Sequence, residues 1–137
     1  MMKVVGLRVA LGMCCLFLFA VQSSASNFEG MEAYRQNDFK TAMRTFKACS
    51  DDVKCLYMLG IMFEKGEGVK QDYAEAAKWY QKAADKDDEL SQYRLGRLLE
   101  KGLGVEENLN EAIKLYRKSA KKNNSNARQA LKRLENN

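Results

Sequence analysis

Large apolar side chains return along this chain every three or four positions. Leu59, Met62 and Phe63 form one such set, Tyr73, Ala77 and Tyr80 the next, and Leu95, Leu98 and Leu99 another. That spacing places each set on one face of an α-helix. Few segments alternate with period two, so strands are not expected. Runs rich in Ala, Leu, Lys, Glu and Gln also favour helix. Polar punctuation marks the ends. Asp51 or Asp52 caps a helix running from Val53 to Lys65, and Gly66 stops it by tolerating a left-handed backbone. Asp72 opens the following helix, and Glu75 completes a capping box three residues on. Asn108 and Glu111 repeat that arrangement.

The pattern is an internal repeat. EKGEGV at residues 64–69 returns as EKGLGV at 100–105, and residues 55–88 laid over 91–124 match at 15 of 34 positions. A period of this size signals stacked supersecondary units. Paired glycines can cradle a phosphate, but that needs a strand before them and a helix N-terminus aimed at the ligand. Here a helix precedes Gly66 and Gly68, and likewise Gly102 and Gly104, and no Lys-Ser/Thr pair follows. The glycines are expected to be turns between antiparallel helices. A shorter unit precedes the repeats at residues 27–49, with a tight turn at Gln36-Asn37-Asp38. One further helix over Asn126–Leu134 puts Ala127, Ala130, Leu131 and Leu134 on one face, as a cap for the open end of a stack. About seven helices result, an all-α chain of three pairs and a cap.

At these residues the chain resembles a known family. YMLGIMFEKGEGVKQDYAEAAKWYQKAA and YRLGRLLEKGLGVEENLNEAIKLYRKSA are similar to Sel1-like repeats, relatives of tetratricopeptide repeats. The family pattern runs A-x-x-x-L-G-x-x-Y-x-x-G-x-G-V, a short acidic loop, then K-A-x-x-W-Y-x-K-A-A. Cys55 and Ser91 stand where the opening Ala is usual, Phe63 and Leu99 replace the Tyr, and Leu115 replaces the Trp. These swaps keep apolar volume. The resemblance implies a right-handed α/α solenoid of antiparallel helix pairs. Its expected parts are an N-terminal pair at 26–50, repeats at 52–87 and 88–123, and a capping helix at 124–137.

Composition narrows the chemistry. The 137 residues include no His and no Pro. Without His there is no Ser-His-Asp triad, Cys-His pair or HExxH zinc site. The first 25 residues carry Lys3 and Arg8, an apolar run from Val9 to Val21, and Ser23-Ser24-Ala25 before Ser26. That is the pattern of a secretory signal, too short for a membrane span. Export to a periplasmic or secreted location of a Gram-negative bacterium is expected, with no membrane span once the signal is removed. Two cysteines remain after it, Cys49 and Cys55. The Ser50-Asp51-Asp52 turn brings their helices together, so a disulfide is expected in an oxidising compartment. A redox pair and a metal site are the alternatives, disfavoured because the spacing is not C-x-x-C and two thiolates supply too few ligands. FKACSDDVKCLYMLG also resembles the cysteine-rich branch of the family, which implies the same staple. No cofactor is expected. The net charge of +5 is uneven: residues 110–137 hold eight basic and two acidic side chains. A solvated helix face is the expected reading, with an acidic partner or an anionic membrane surface as its alternative, and nucleic acid is not expected without aromatic residues interleaved there.

A solenoid of helix pairs exposes an extended concave groove, whose usual work is binding protein or peptide. The first helix of each pair tends to line it. The candidate contacts are therefore Arg35, Tyr57, Tyr93, Arg94 and Arg97, with Trp79 as a possible anchor whose competing role is core packing. The resemblance implies an exported adaptor, expected as a monomer without catalysis. Its alternative is an immunity or virulence-associated factor that grips one toxin or host protein. A remoter alternative is a β-lactamase-like hydrolase built on Ser119-Ala120-Lys121-Lys122. That S-x-x-K lacks the S-D-N and K-T-G groups that would support its serine.

Overall fold

The structure is a computed structural model that describes residues 26–136. The signal-like segment at residues 1–25 lies outside the described residues. Seven helices follow one another and no strand occurs among the described residues. They are α1 (residues 26–35), then α2 (Phe39–Ala48), α3 (Val53–Lys65), α4 (Tyr73–Asp85), α5 (Glu89–Lys101), α6 (Leu109–Lys121) and α7 (Ser125–Glu135). Each end has a local cause. Asp52 caps α3 by accepting from the Lys54 and Cys55 amides, and Asp72 and Asn108 cap α4 and α6 through the Glu75 and Glu111 amides. Gly66 and Gly102 end α3 and α5 at φ of 72° and 62°, a conformation that strains any residue with a Cβ. Gly68 and Gly104 are left-handed as well. Both sit where a Cβ would strike the start of the second helix in the preceding unit, at Phe39 and at Tyr73-Ala74 respectively. The repeated hexapeptide is therefore a stop and a seat: it ends one helix and docks the loop on the neighbouring pair.

The pairs stack as an α/α solenoid around a core that repeats with the sequence. A fully buried ring stands in each second helix, Phe46, Tyr80 and then Tyr116. Each lies across a glycine of the first helix, Gly30, Gly60 and Gly96 respectively, with no room for a Cβ between them. Close approach of the two helices needs that missing side chain. Ala42, Ala76 and Ala112 repeat a second small contact, each 0% exposed. The apolar interior is continuous in character, with Leu56, Leu59 and Met62 under the first two pairs and Leu95, Leu98 and Leu115 under the next.

The first pair is held to the second by more than packing. Cys49 caps α2 and is bonded to Cys55 in the first turn of α3, with Cα atoms 5.9 Å apart. Asn27 donates to the Asp52 carboxylate at 3.2 Å, and Tyr34 donates to Glu67 at 2.5 Å. The later unit replaces apolar core positions with polar ones. Ser91 and Gln92 occupy the places of Cys55 and Leu56 and are 0% and 1% exposed. The Gln92 amide nitrogen reaches Asp87 at 3.0 Å, while its carbonyl oxygen and the Ser91 hydroxyl have no partner.

Candidate binding face

The first helices and the cap share one face. On α5 the residues Leu90, Arg94, Arg97 and Lys101 recur at helical spacing on one side, and Tyr93 and Glu100 flank them towards α7. Two hollows lie along this face. The first, of about 640 Å³, is apolar and lies between α1, α3 and α5, lined by Phe28, Met31, Tyr57, Met58 and Leu90. Phe28, Met31 and Leu90 are 73%, 37% and 44% exposed, which makes them the largest apolar side chains offered to solvent on this side. The second, of about 420 Å³, lies between α5 and α7 and is polar, with Arg97, Lys101, Arg133, Tyr93 and Gln129 on its walls.

A repeated carboxylate network separates the face from the core. Tyr80 donates to Glu64 at 2.5 Å, and Tyr116 donates to Glu100 at 2.6 Å. Burial, and then the adjoining carboxylate, push both phenols above their ordinary range. Each carboxylate also meets guanidinium groups from the next first helix. Arg94 and Arg97 approach Glu64 at 3.3 and 3.9 Å, and Arg133 approaches Glu100 at 2.7 Å. Burial raises the Glu100 carboxyl, but hydrogen bonds from Tyr116 and Arg133 outweigh it and hold it below the ordinary range. Burial opposes the charge of Arg94, and the Glu64 carboxylate more than restores it.

Of the six candidate contacts, five lie on first helices. Tyr57 and Tyr93 each back onto a buried ring, with centroids 6.0 Å from Tyr80 and 5.8 Å from Tyr116, while still lining the hollows. Arg35 closes the last turn of α1 and pairs with Glu32 at 2.7 Å. Trp79 stands apart. It lies on α4, packs against the core of the first pair, and carries Lys82 over its ring at 4.2 Å. Its indole nitrogen is buried without a partner. Ser119, the remote nucleophile candidate, is 0% exposed and donates to the Glu89 carbonyl at 2.6 Å. A hydroxyl so placed ties α6 to α5 and has no path to a substrate. Among the described residues no three His, Cys, Asp or Glu side chains gather as a metal would need, and no helix is long and apolar enough to cross a membrane.

Reasoning from sequence passed over Phe28, Met31 and Leu90, which look like ordinary core positions until the helices are placed. It also passed over Glu64 and Glu100. Their signal was available, because both belong to the identical positions of the repeat and each lies 33 residues before an arginine, Arg97 and Arg133.

Comparison with known proteins agrees with this architecture. The Sel1 repeat family matches residues 53–88 and 90–124. A Sel1 repeat protein from Oxalobacter formigenes is 31% identical over 76% of this chain and 44% of its own, with a TM-score of 0.74. A protective antigen present in uropathogenic Escherichia coli strains, displaying an SLR fold, is 32% identical over 79% of this chain and 24% of its own, with a TM-score of 0.75. The chain thus spans less than half the length of either. Helicobacter pylori cysteine rich protein B matches 82% of this chain and 91% of its own at 22% identity and a TM-score of 0.69, a likeness of fold. No curated protein matches the sequence. Sel1 repeats are generally protein-interaction modules rather than catalysts. With both of its repeats matched over more than half its length, the chain belongs to the Sel1 repeat family.

Proposed function

We propose that this protein is an exported binding module that holds a segment of a partner protein against the face formed by α1, α3, α5 and α7. The observation that carries this reading is the face itself: exposed Phe28, Met31 and Leu90 line one apolar hollow between α1, α3 and α5, and Arg94 and Arg97 follow Leu90 one and two turns along α5. Exposed apolar side chains rimmed by charge mark interaction surfaces. Export draws on the signal-like pattern of residues 1–25 and on the Cys49–Cys55 disulfide. The expected units are a signal at 1–25, a helix pair at 26–50, repeats at 52–87 and 88–123, and a cap from 124.

A second reading, a virulence-associated factor that grips one host protein or toxin, draws on the likeness to the uropathogenic Escherichia coli antigen. Capture on the immobilised protein from periplasmic extract, followed by crosslinking and mass spectrometry, tests the first reading. One enriched partner with crosslinks on α1, α3 or α5 is expected. Crosslinks confined to α2, α4 and α6 would overturn it. A partner found only in host extract would favour the second reading.

A further inference from the structure

The proposed module leaves open what kind of segment it takes, and the face has a polarity along the helices that bears on this. Leu90 begins the exposed line of α5, beside Phe28, Met31 and Met58. Arg97 and Lys101 end it, in the polar cleft. At 1.5 Å per residue, Arg97 lies about 10 Å and Lys101 about 16 Å beyond Leu90 along the axis. The other first helices follow the same gradient. Arg35 and Lys65 close α1 and α3 as Lys101 closes α5, each exposed at the helix end.

The cations of this end exceed the carboxylates that meet them. Arg94 and Arg97 share Glu64, and Arg97 reaches it only at 3.9 Å. A carboxylate cannot occupy the donors of two guanidinium groups, each of which carries five. Arg133 takes Glu100 at 2.7 Å, while Lys101 lies on the cleft wall with its ammonium exposed. Of these groups, Arg97 and Lys101 stand on the cleft wall, where an anion would meet them.

Resting on the binding reading above, we infer that the partner segment is an extended peptide with one large apolar side chain seated near Leu90 and an Asp or Glu placed three to five residues away, against Arg97 and Lys101. The interval follows from the 10 to 16 Å span and a rise of about 3.3 Å per extended residue. The apolar side chain fills the hollow between Phe28, Met31 and Met58. The carboxylate completes the guanidinium shell that Glu64 leaves open.

The test pans a random library of twelve-residue peptides displayed on phage against the full chain with its disulfide intact. The library is panned in parallel against Leu90→Asp and Lys101→Glu, and circular dichroism checks the fold of each variant. Both substituted side chains lie at exposed positions. The expected wild-type consensus is an apolar residue with Asp or Glu three to five positions away. Leu90→Asp should lose the apolar position. Lys101→Glu should weaken acidic peptides roughly fivefold and raise basic residues at the distal position. No enriched consensus, acidic residues without fixed spacing, or an unchanged consensus in Lys101→Glu would each overturn the inference. The two proposals fail separately. A captured partner crosslinked to the face through a segment without this spacing removes the inference and leaves the binding module standing.

Discussion

Two side chains show what the repeat imposes on single residues. Ser91 occupies the site of Cys55 but has no partner for its hydroxyl in a fully buried position. An unpaired buried hydroxyl destabilises, so Ser91→Ala should raise stability by about 1 kcal/mol in a urea melt. An unchanged or lower midpoint would mean that the hydroxyl is satisfied. Glu100 behaves in the opposite sense. Its carboxyl is held below the ordinary value near 4.5 by Tyr116 and Arg133, against burial. A depressed folded-state pKa adds stability that is complete above the unfolded value and lost as pH falls through the folded one. Thermal melts from pH 6 to pH 3 should therefore fall less steeply for Glu100→Gln than for wild type. Equal slopes would remove Glu100 from the acid response. In the sequence Ser91 was visible as a departure from Ala, but its burial without a partner was not, because only the packed neighbours decide that.

At the scale of helices the chain was nearly all legible. Asp52, Asp72 and Asn108 cap where they were expected to, since capping is a local reaction of a side chain with the next three amides. Gly66 and Gly102 end their helices for an equally local reason. The last helix proved one residue longer at each end than its apolar pattern suggested, because Asn124 supplies a cap by accepting from the Asn126 and Ala127 amides. The staple between α2 and α3 belongs to this scale too. Cys49 and Cys55 close a short loop, worth about 2 kcal/mol through the unfolded chain. Its reduction should lower the melting temperature by roughly 10 °C, with early amide exchange confined to α1 and α2. Uniform exchange throughout the stack would show instead that the first pair folds as one unit with the rest.

Over the whole molecule the architecture was more legible in the sequence than the surface. A stack of pairs follows from the period and the glycines, but which residues remain exposed depends on how far each pair leaves its neighbour uncovered. Tyr57 and Tyr93 could be named as candidates from the sequence because they recur at the repeat interval. Leu90 was not, because its counterpart in the previous repeat is Lys54. Trp79, named both as a candidate anchor and as a core residue, lies on α4 and packs against the core of the first pair. If the first-helix side of the stack binds the partner and the second-helix side does not, partner capture by surface variants separates the two sides. Wild type should be compared with Leu90→Asp/Arg97→Glu on the first helices and with Lys78→Glu on α4, where Lys78 pairs only with Glu75 of its own helix. Capture should be lost in the double variant and kept in Lys78→Glu. Capture that survives the double variant and fails in Lys78→Glu would place the working surface on the second helices instead.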